Sequence, residues 1–393
     1  MAGPGAGLGA GALRPPLRGH QQGAGRRGHH LPRRLRPVRQ LLLTATALGL
    51  AASPLAAQSP ATDDPLLDQQ PGLPALSLPE AWPTSTGEGV TIAVLDSGVD
   101  ADHPDLADHL LPGRDVVDDD DTPADGFGSG THAAGLAAAV TDNGKGIAGA
   151  APDAMVLPVR VLDDHGAGSP ATLASGIAWA AGERAGVIAL TLGGDPDLLA
   201  HLGDETVQRA LRAAIDAGSV VVAGLPTGVD LPDDVPVVLV GDGTGATVDP
   251  RVVSAPGDGA LSTVPVAPTT LFPDGTDGYE SRDGAAAATA LVAGTAALLV
   301  AEGRTPVEVA DLLVGTARNP QGDPALGAGT VDAATAVTQA AQGGAGNQPV
   351  PSAEDSKGGL PPAAVGAIAV VAALTAVGAT IFISVRWPRP KSS

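Results

Sequence analysis

A carboxylate, Asp96, stands directly behind the apolar run Val90-Thr91-Ile92-Ala93-Val94-Leu95 and ahead of Ser97-Gly98. An acid at the end of a buried strand, with a glycine close behind, is where a catalytic carboxylate can be held; an Asp there can also simply close a turn. His103-Pro104-Asp105-Leu106 supplies an imidazole shortly afterwards. Gly128-Ser129-Gly130-Thr131-His132 supplies two hydroxyls and a second imidazole, and Ser281 a further hydroxyl. The 393-residue chain has no cysteine, which excludes thiolate nucleophiles, disulfides and cysteine-bound zinc. The run Asp118 to Asp121 could hold calcium, but a solvated loop is the simpler reading, and no cofactor or metal is expected.

The elements that must position these groups alternate along the middle of the chain. Val90 to Leu95, Met155 to Val161, Val187 to Leu192 and Val220 to Ala223 read as buried strands, and Thr131 to Val140, Ser169 to Ala181 and Glu205 to Ala217 as helices between them. Strand–helix alternation predicts an α/β fold, a parallel sheet with helices on both faces, and functional groups at the C-terminal strand ends. Aromatic residues are only 2% of the chain, so Ala, Val, Leu and Ile must build the core.

Family landmarks then appear in order. Asp96-Ser97-Gly98-Val99 followed by His103-Pro104-Asp105-Leu106 resembles the segment around the catalytic Asp of the subtilases. Gly128-Ser129-Gly130-Thr131-His132-Ala133-Ala134-Gly135 resembles their G-H-G-T-x-x-A-G segment, and Gly149-Ala150-Ala151-Pro152 their G-x-A-P. Val187 to Gly193 resembles the strand that lines the substrate cleft, and Val220 to Ala223 the strand leading to the oxyanion Asn. Ser254-Ala255-Pro256-Gly257 is another landmark. Gly284 to Gly294 resembles G-T-S-x-A-x-P-x-V-A-G, the nucleophile segment, and Gly327 to Ala333 the closing G-x-G-x-V-D-A. The resemblance covers residues 78 to 340. It implies a three-layer subtilisin-like fold and a Ser–His–Asp site, and it makes the apolar Ala285 to Ala301 the central helix of the domain rather than a membrane span.

Matched position by position, the site is incomplete. Asp96 takes the acid position. Ser129 stands at the base position, Ala286 at the nucleophile position and Leu225 near the oxyanion Asn position. A serine hydroxyl is no base near neutral pH, a methyl group is no nucleophile, and Leu225 has no side-chain donor. His132, one helical turn past Ser129, is expected to point away from the cleft. Ser281 lies outside the helix start that would present a nucleophile, and His103 is expected to be structural. With no His to orient, Asp96 is expected to keep only local hydrogen bonds, worth about one bond in stability. Three functional readings follow: a structural pseudoprotease, a module in which Leu192, Gly193 and Gly194 pair with an extended peptide by strand addition, and a working endopeptidase with a rearranged site.

The two ends place the domain. Residues 1–57 run from an Arg-rich segment through the apolar Leu41 to Leu50 to small residues, the order of a signal peptide. Residues 58–77 read as an N-terminal extension, 78–341 as the peptidase domain and 342–362 as a Gly/Pro/Ser linker. The uncharged run 363–385 is long enough for a transmembrane helix. Arg386, Arg389 and Lys391 in the tail 386–393 predict a cytoplasmic C-terminus and an extracellular domain on a single-pass membrane anchor. A net charge of −21 argues against nucleic acid as a partner. This layout, together with Leu78-Pro79-Glu80-Ala81-Trp82, resembles the mycosins, the membrane-anchored subtilases of actinobacterial type VII secretion systems, and implies their secretion-complex subunits as partners. The chain departs from them in lacking cysteines and a full triad.

Overall fold

The computed structural model describes residues 63–226, 231–232, 235–243 and 248–344. The chain opens with two short helices, α1 (Gly72–Ala75) and α2 (Leu78–Ala81), then strands β1 (Thr91–Asp96) and β2 (Arg114–Asp115), helix α3 (Ser129–Ala138), β3 (Met155–Arg160), α4 (Pro170–Gly182), β4 (Val187–Leu190), α5 (Glu205–Asp216), β5 (Val220–Gly224), β6 (Val238–Gly241) and β7 (Val253–Ser254). It continues through β8 (Ala260–Thr263), β9 (Tyr279–Arg282), α6 (Ala285–Ala301), α7 (Pro306–Thr316), β10 (Gly329–Thr330) and α8 (Ala333–Gly344).

Eight strands form one parallel sheet in the order β10-β7-β6-β5-β4-β1-β3-β2, and β8 and β9 form a separate antiparallel pair. The central strands read as unbroken apolar runs because both faces are covered. Ile92 and Val94 enter one core while Ala93 and Leu95 enter the other, and β5 divides Val220 and Val222 from Val221 and Ala223 in the same way. The first core takes in α1, α2, α3, α6, α7 and α8; the second takes in α4 and α5. This is the α/β architecture the alternation predicted.

Helix α6 is buried on every side from Ala287 to Leu299, so it is apolar all round and central. Its small residues let it close on α3. A Cβ at Gly294 would stand 2.5 Å from the Ala150 methyl and 2.7 Å from the Ala137 carbonyl oxygen. Among the described residues no single helix is long and apolar enough to cross a membrane. The segments read from the sequence as a signal peptide at 1–57, a transmembrane helix at 363–385 and a tail at 386–393, with all but the start of the linker, lie outside the described residues.

Element ends differ from the sequence reading for local reasons. Ser169 is not in α4 but caps it, its hydroxyl accepting from the Thr172 N–H at 3.1 Å in a capping box. α3 begins at Ser129, two positions before the predicted start, because Gly128 turns into it with φ of +116°. β4 stops at Leu190 rather than Leu192, since Leu192 takes a left-handed backbone with φ of +46°. Residues set apart as an extension belong to the fold: Leu73 and Leu76 are buried in the first core, and the Gln70 side chain pairs with both Ala148 backbone groups.

Candidate active site

Strands β1 and β4 are neighbours, yet β1 leads away toward β3 and β2 while β4 leads toward β5. The crevice at their C-terminal ends is the switch point where such sheets place ligands. Asp96 ends β1 there and is fully buried. Its Oδ1 accepts the Ser97 N–H at 2.8 Å and the Ser129 hydroxyl. Its Oδ2 accepts the Thr191 hydroxyl at 2.7 Å and the Gly193 N–H at 2.9 Å. Both oxygens therefore collect donors from three elements and none from an imidazole.

A second buried carboxylate backs the first. Asp125 Oδ1 accepts the Ser97 hydroxyl at 2.8 Å and the Gly128 N–H at 2.6 Å, while Oδ2 accepts the Thr131 N–H at 2.9 Å and hydroxyl at 2.6 Å. The Ser97 and Ser129 hydroxyls stand 3.1 Å apart and link the two acids. Burial pushes the Asp125 carboxyl up to about 6, against the pull of its hydrogen bonds.

Ser129 and Ala286 face each other across Gly193. A Cβ on Gly193 would lie 2.9 Å from the Ser129 Cβ and 3.5 Å from the Ala286 methyl. Both residues line a cleft of about 240 Å³ together with His132, Thr191 and Arg282. Asp96, Ser129 and Ala286, matched in the sequence to acid, base and nucleophile, are thus brought together. Leu225 is not. Its N–H is held by the Val240 carbonyl at 2.9 Å, and it lines a separate cavity of about 500 Å³ with Val238 and Val252.

The other candidates have other duties. The His132 Nε2 is 2.9 Å from the Ala260 carbonyl oxygen, and burial drives the ring down to about 4. His103 pairs Nε2 with the Gly278 carbonyl at 2.8 Å, accepts the Asp105 N–H at Nδ1 and stands edge-on to Tyr279. Ser281 is exposed on β9 opposite Leu261. In the acidic run, Asp118 pairs with Arg160 at 2.8 Å, Asp121 pairs with Arg114 at 2.9 Å, and Asp119 also pairs with Arg114. Those arginines occupy three of the four carboxylates, Asp120 accepts the Thr122 N–H at 2.7 Å, and among the described residues no group of three or more acidic or His side chains could hold a metal.

The cleft strand of the sequence reading changes most. Leu192 is left-handed, its carbonyl accepts the Asp195 N–H at 3.1 Å, and the Gly193 N–H is spent on Asp96. Residues 192–194 form a turn, so an extended peptide meets no open strand edge at Leu192 and Gly193.

Sequence reasoning missed Arg282. It ends β9, lines the cleft, and has Nη1 buried without a hydrogen-bond partner among the described residues. Its guanidinium lies 5.9 Å from the centre of the Phe272 ring. Burial lowers its pKa, opposed by the charges of Asp96 and Asp125. A lone arginine two residues before Gly284, in a stretch of small and acidic residues, was the available signal.

Residues 87–225 match the subtilase family, peptidase S8. Thermitase of Thermoactinomyces vulgaris is 38% identical over 262 residues, which are 63% of this chain and 88% of thermitase. This chain belongs to the subtilase family of serine proteases. A subtilisin of Bacillus pumilus is 34% identical over 238 residues, 59% of this chain and 85% of the relative. Among solved structures, a protease from Pseudoalteromonas arctica PAMC 21717 superposes with a TM-score of 0.60 at 32% identity, over 71% of this chain and 99% of that one.

Proposed function

We propose that this subtilase-family chain does not cleave peptides and acts as a binding or scaffolding domain at the cell surface. The observation that carries this is the fate of Asp96. Its oxygens are filled by Ser97, Ser129, Thr191 and Gly193, and no imidazole stands between it and a hydroxyl. Nucleophilic hydrolysis needs a base within reach of the attacking hydroxyl. Ser129 and Ala286 supply neither base nor nucleophile at the positions matched to them. In subtilisin, loss of either the Ser or the His alone costs about 10^6 in turnover.

The anchor read at 363–385 and the signal peptide read at 1–57 support an extracellular domain held at the cell membrane. The likeness to mycosins supports a place beside type VII secretion subunits. The competing reading is an active endopeptidase in which Ser129, already bonded to Asp96, is the nucleophile. A fluorophosphonate probe separates the two, because it reports only an activated serine. The purified full chain should remain unlabelled and should leave peptide substrates intact. Labelling that disappears in Ser129→Ala, with turnover, would establish the competing reading.

A further inference from the structure

The cleft holds a cation whose donors meet nothing. Arg282 sits among Ser129, Thr191, Gly193 and Ala286 on the wall, with Nη1 buried and unpaired. No ion pair or hydrogen bond from the Arg282 side chain occurs among the described residues; it lies 5.9 Å from the centre of the Phe272 ring, and Asp96 and Asp125 are near enough to act on its charge. Those acids cannot serve it. Asp96 already accepts from Ser97, Ser129, Thr191 and Gly193, and Asp125 from Ser97, Gly128 and Thr131. A guanidinium is always charged and presents a planar fork that fits a carboxylate with two parallel bonds. A buried donor of this kind without a partner is costly, and the cost is recovered when a ligand supplies the acceptor.

A second feature opens on the same cleft. Helix α6, 17 residues long, starts at Ala285 and Ala286 on its wall, and Gly284 before it offers no side-chain cap. The first amides of a helix have no partner within it, and that end carries partial positive charge. The Ala287 N–H bonds to the Gly284 carbonyl at 3.1 Å, which leaves the Ala285 and Ala286 amides; their residues, Arg282 and Asp283 line one volume of about 240 Å³. That is smaller than the roughly 300–1,000 Å³ of the pockets that enclose whole drug-sized ligands, so it suits the end of a chain rather than its middle. The turn at Leu192–Gly194 points the same way, since it removes the edge along which an extended segment would run.

We infer that the cleft is a receptor for the carboxylate group of a peptide, with Arg282 as its clamp and the start of α6 as its second wall. The peptide is bound and not cut, so this rests on the non-proteolytic reading. The carboxylate is that of a chain terminus or of an acidic side chain, and Arg282 binds either through the same fork.

Three probes decide it with the full chain purified in detergent: acetyl-Ala-Ala-Ala as the free acid, the same peptide as its C-terminal amide, and acetyl-Ala-Asp-Ala amide. Calorimetric titration should show the free acid or the Asp peptide binding about tenfold or more tightly than the plain amide, the scale of one charge-assisted pair. Preference for the free acid assigns the terminus; preference for the Asp peptide assigns the side chain. Arg282→Met keeps a long apolar stem and should abolish the preference, while Arg282→Lys should retain part of it. Equal binding of all three, no binding, or a preference that survives Arg282→Met overturns the inference. Mass spectrometry of the recovered peptides reads the other question separately: cleaved peptide overturns the non-proteolytic reading, whatever the titration shows.

Discussion

Replacing Asp96 by Asn tests whether the acid has become a structural hub. From the sequence, with no His to orient, loss of about one hydrogen bond was the expected cost. The structure raises it. Asp96 is fully buried, and each oxygen accepts one backbone N–H and one hydroxyl: Ser97 N–H and Ser129 at Oδ1, Gly193 N–H and Thr191 at Oδ2. Asn keeps one oxygen and turns the other into a donor. The hydroxyls can rotate, but one backbone N–H must then face an N–H group with no acceptor. An orphaned buried N–H costs about 1–3 kcal/mol, and loss of the charge-assisted bonds to the remaining donors adds about 1–2 kcal/mol. At about 2–4 °C per kcal/mol, Tm should fall by roughly 4–20 °C. Thermal unfolding followed by circular dichroism at pH 7 measures it. A fall of less than 2 °C would show that the network does not stabilise the fold in the way argued.

The remaining expectations concern the same cleft, its neighbours and the chain ends. Ala286→Ser alone should stay unlabelled by a fluorophosphonate probe, because no base reaches the new hydroxyl; labelling would reveal a base among the cleft residues. Ser129→His together with Ala286→Ser should gain weak labelling that depends on Asp96, and labelling that persists after Asp96→Ala would refute the role given to that acid. Burial raises the Asp125 carboxyl from 3.8 to about 6. Between those values the folded chain keeps a proton that the unfolded chain releases, so this group's contribution to stability is lost as pH rises through the window. Asp125→Asn removes that loss, and its Tm relative to the parent should improve from pH 4 to pH 7; a gap that widens would reverse the sign. Protease added to intact cells should degrade or release the domain, and full protection with accessible controls would contradict the extracellular placement.

The parts of the fold that were legible are those whose signal is local. β1, β4 and β5 are apolar at consecutive positions because helices cover both faces of the sheet, and α6 is apolar all round because it is central. Asp96 was found for the same reason, as the first acid met at the end of such a run. What escaped depends on contacts distant in sequence. Leu192 continues an apolar run and gives no warning that it turns left-handed; that follows from Gly193 donating to Asp96. Leu225 was placed by counting along a loop, while its backbone bond to β6 turns it to another cavity. Arg282 reaches the cleft because β9 pairs with β8, and β8 packs on α3: His132 bonds to the Ala260 carbonyl, and the Ser262 hydroxyl bonds to the His132 carbonyl. The lone arginine marks the segment, but its local pattern does not encode that meeting.

The changes in the cleft are physically connected. A hydroxyl at Ser129 satisfies one Asp96 oxygen without carrying a proton onward, and the second oxygen is left for Thr191 and Gly193. That bond fixes Gly193 against the Ser129 side chain and withdraws its amide from any ligand. The acid that would support a base thus also holds the turn that closes the strand edge, through the oxygen that Ser129 leaves free. Arg282 completes the change in character. A guanidinium cannot accept a proton at any physiological pH, so it cannot replace an imidazole in acid–base chemistry. It can hold an anion, and with Asp96 and Asp125 fully occupied by other donors it is left to do so. The arrangement suits retention of a charged group better than the passage of a proton.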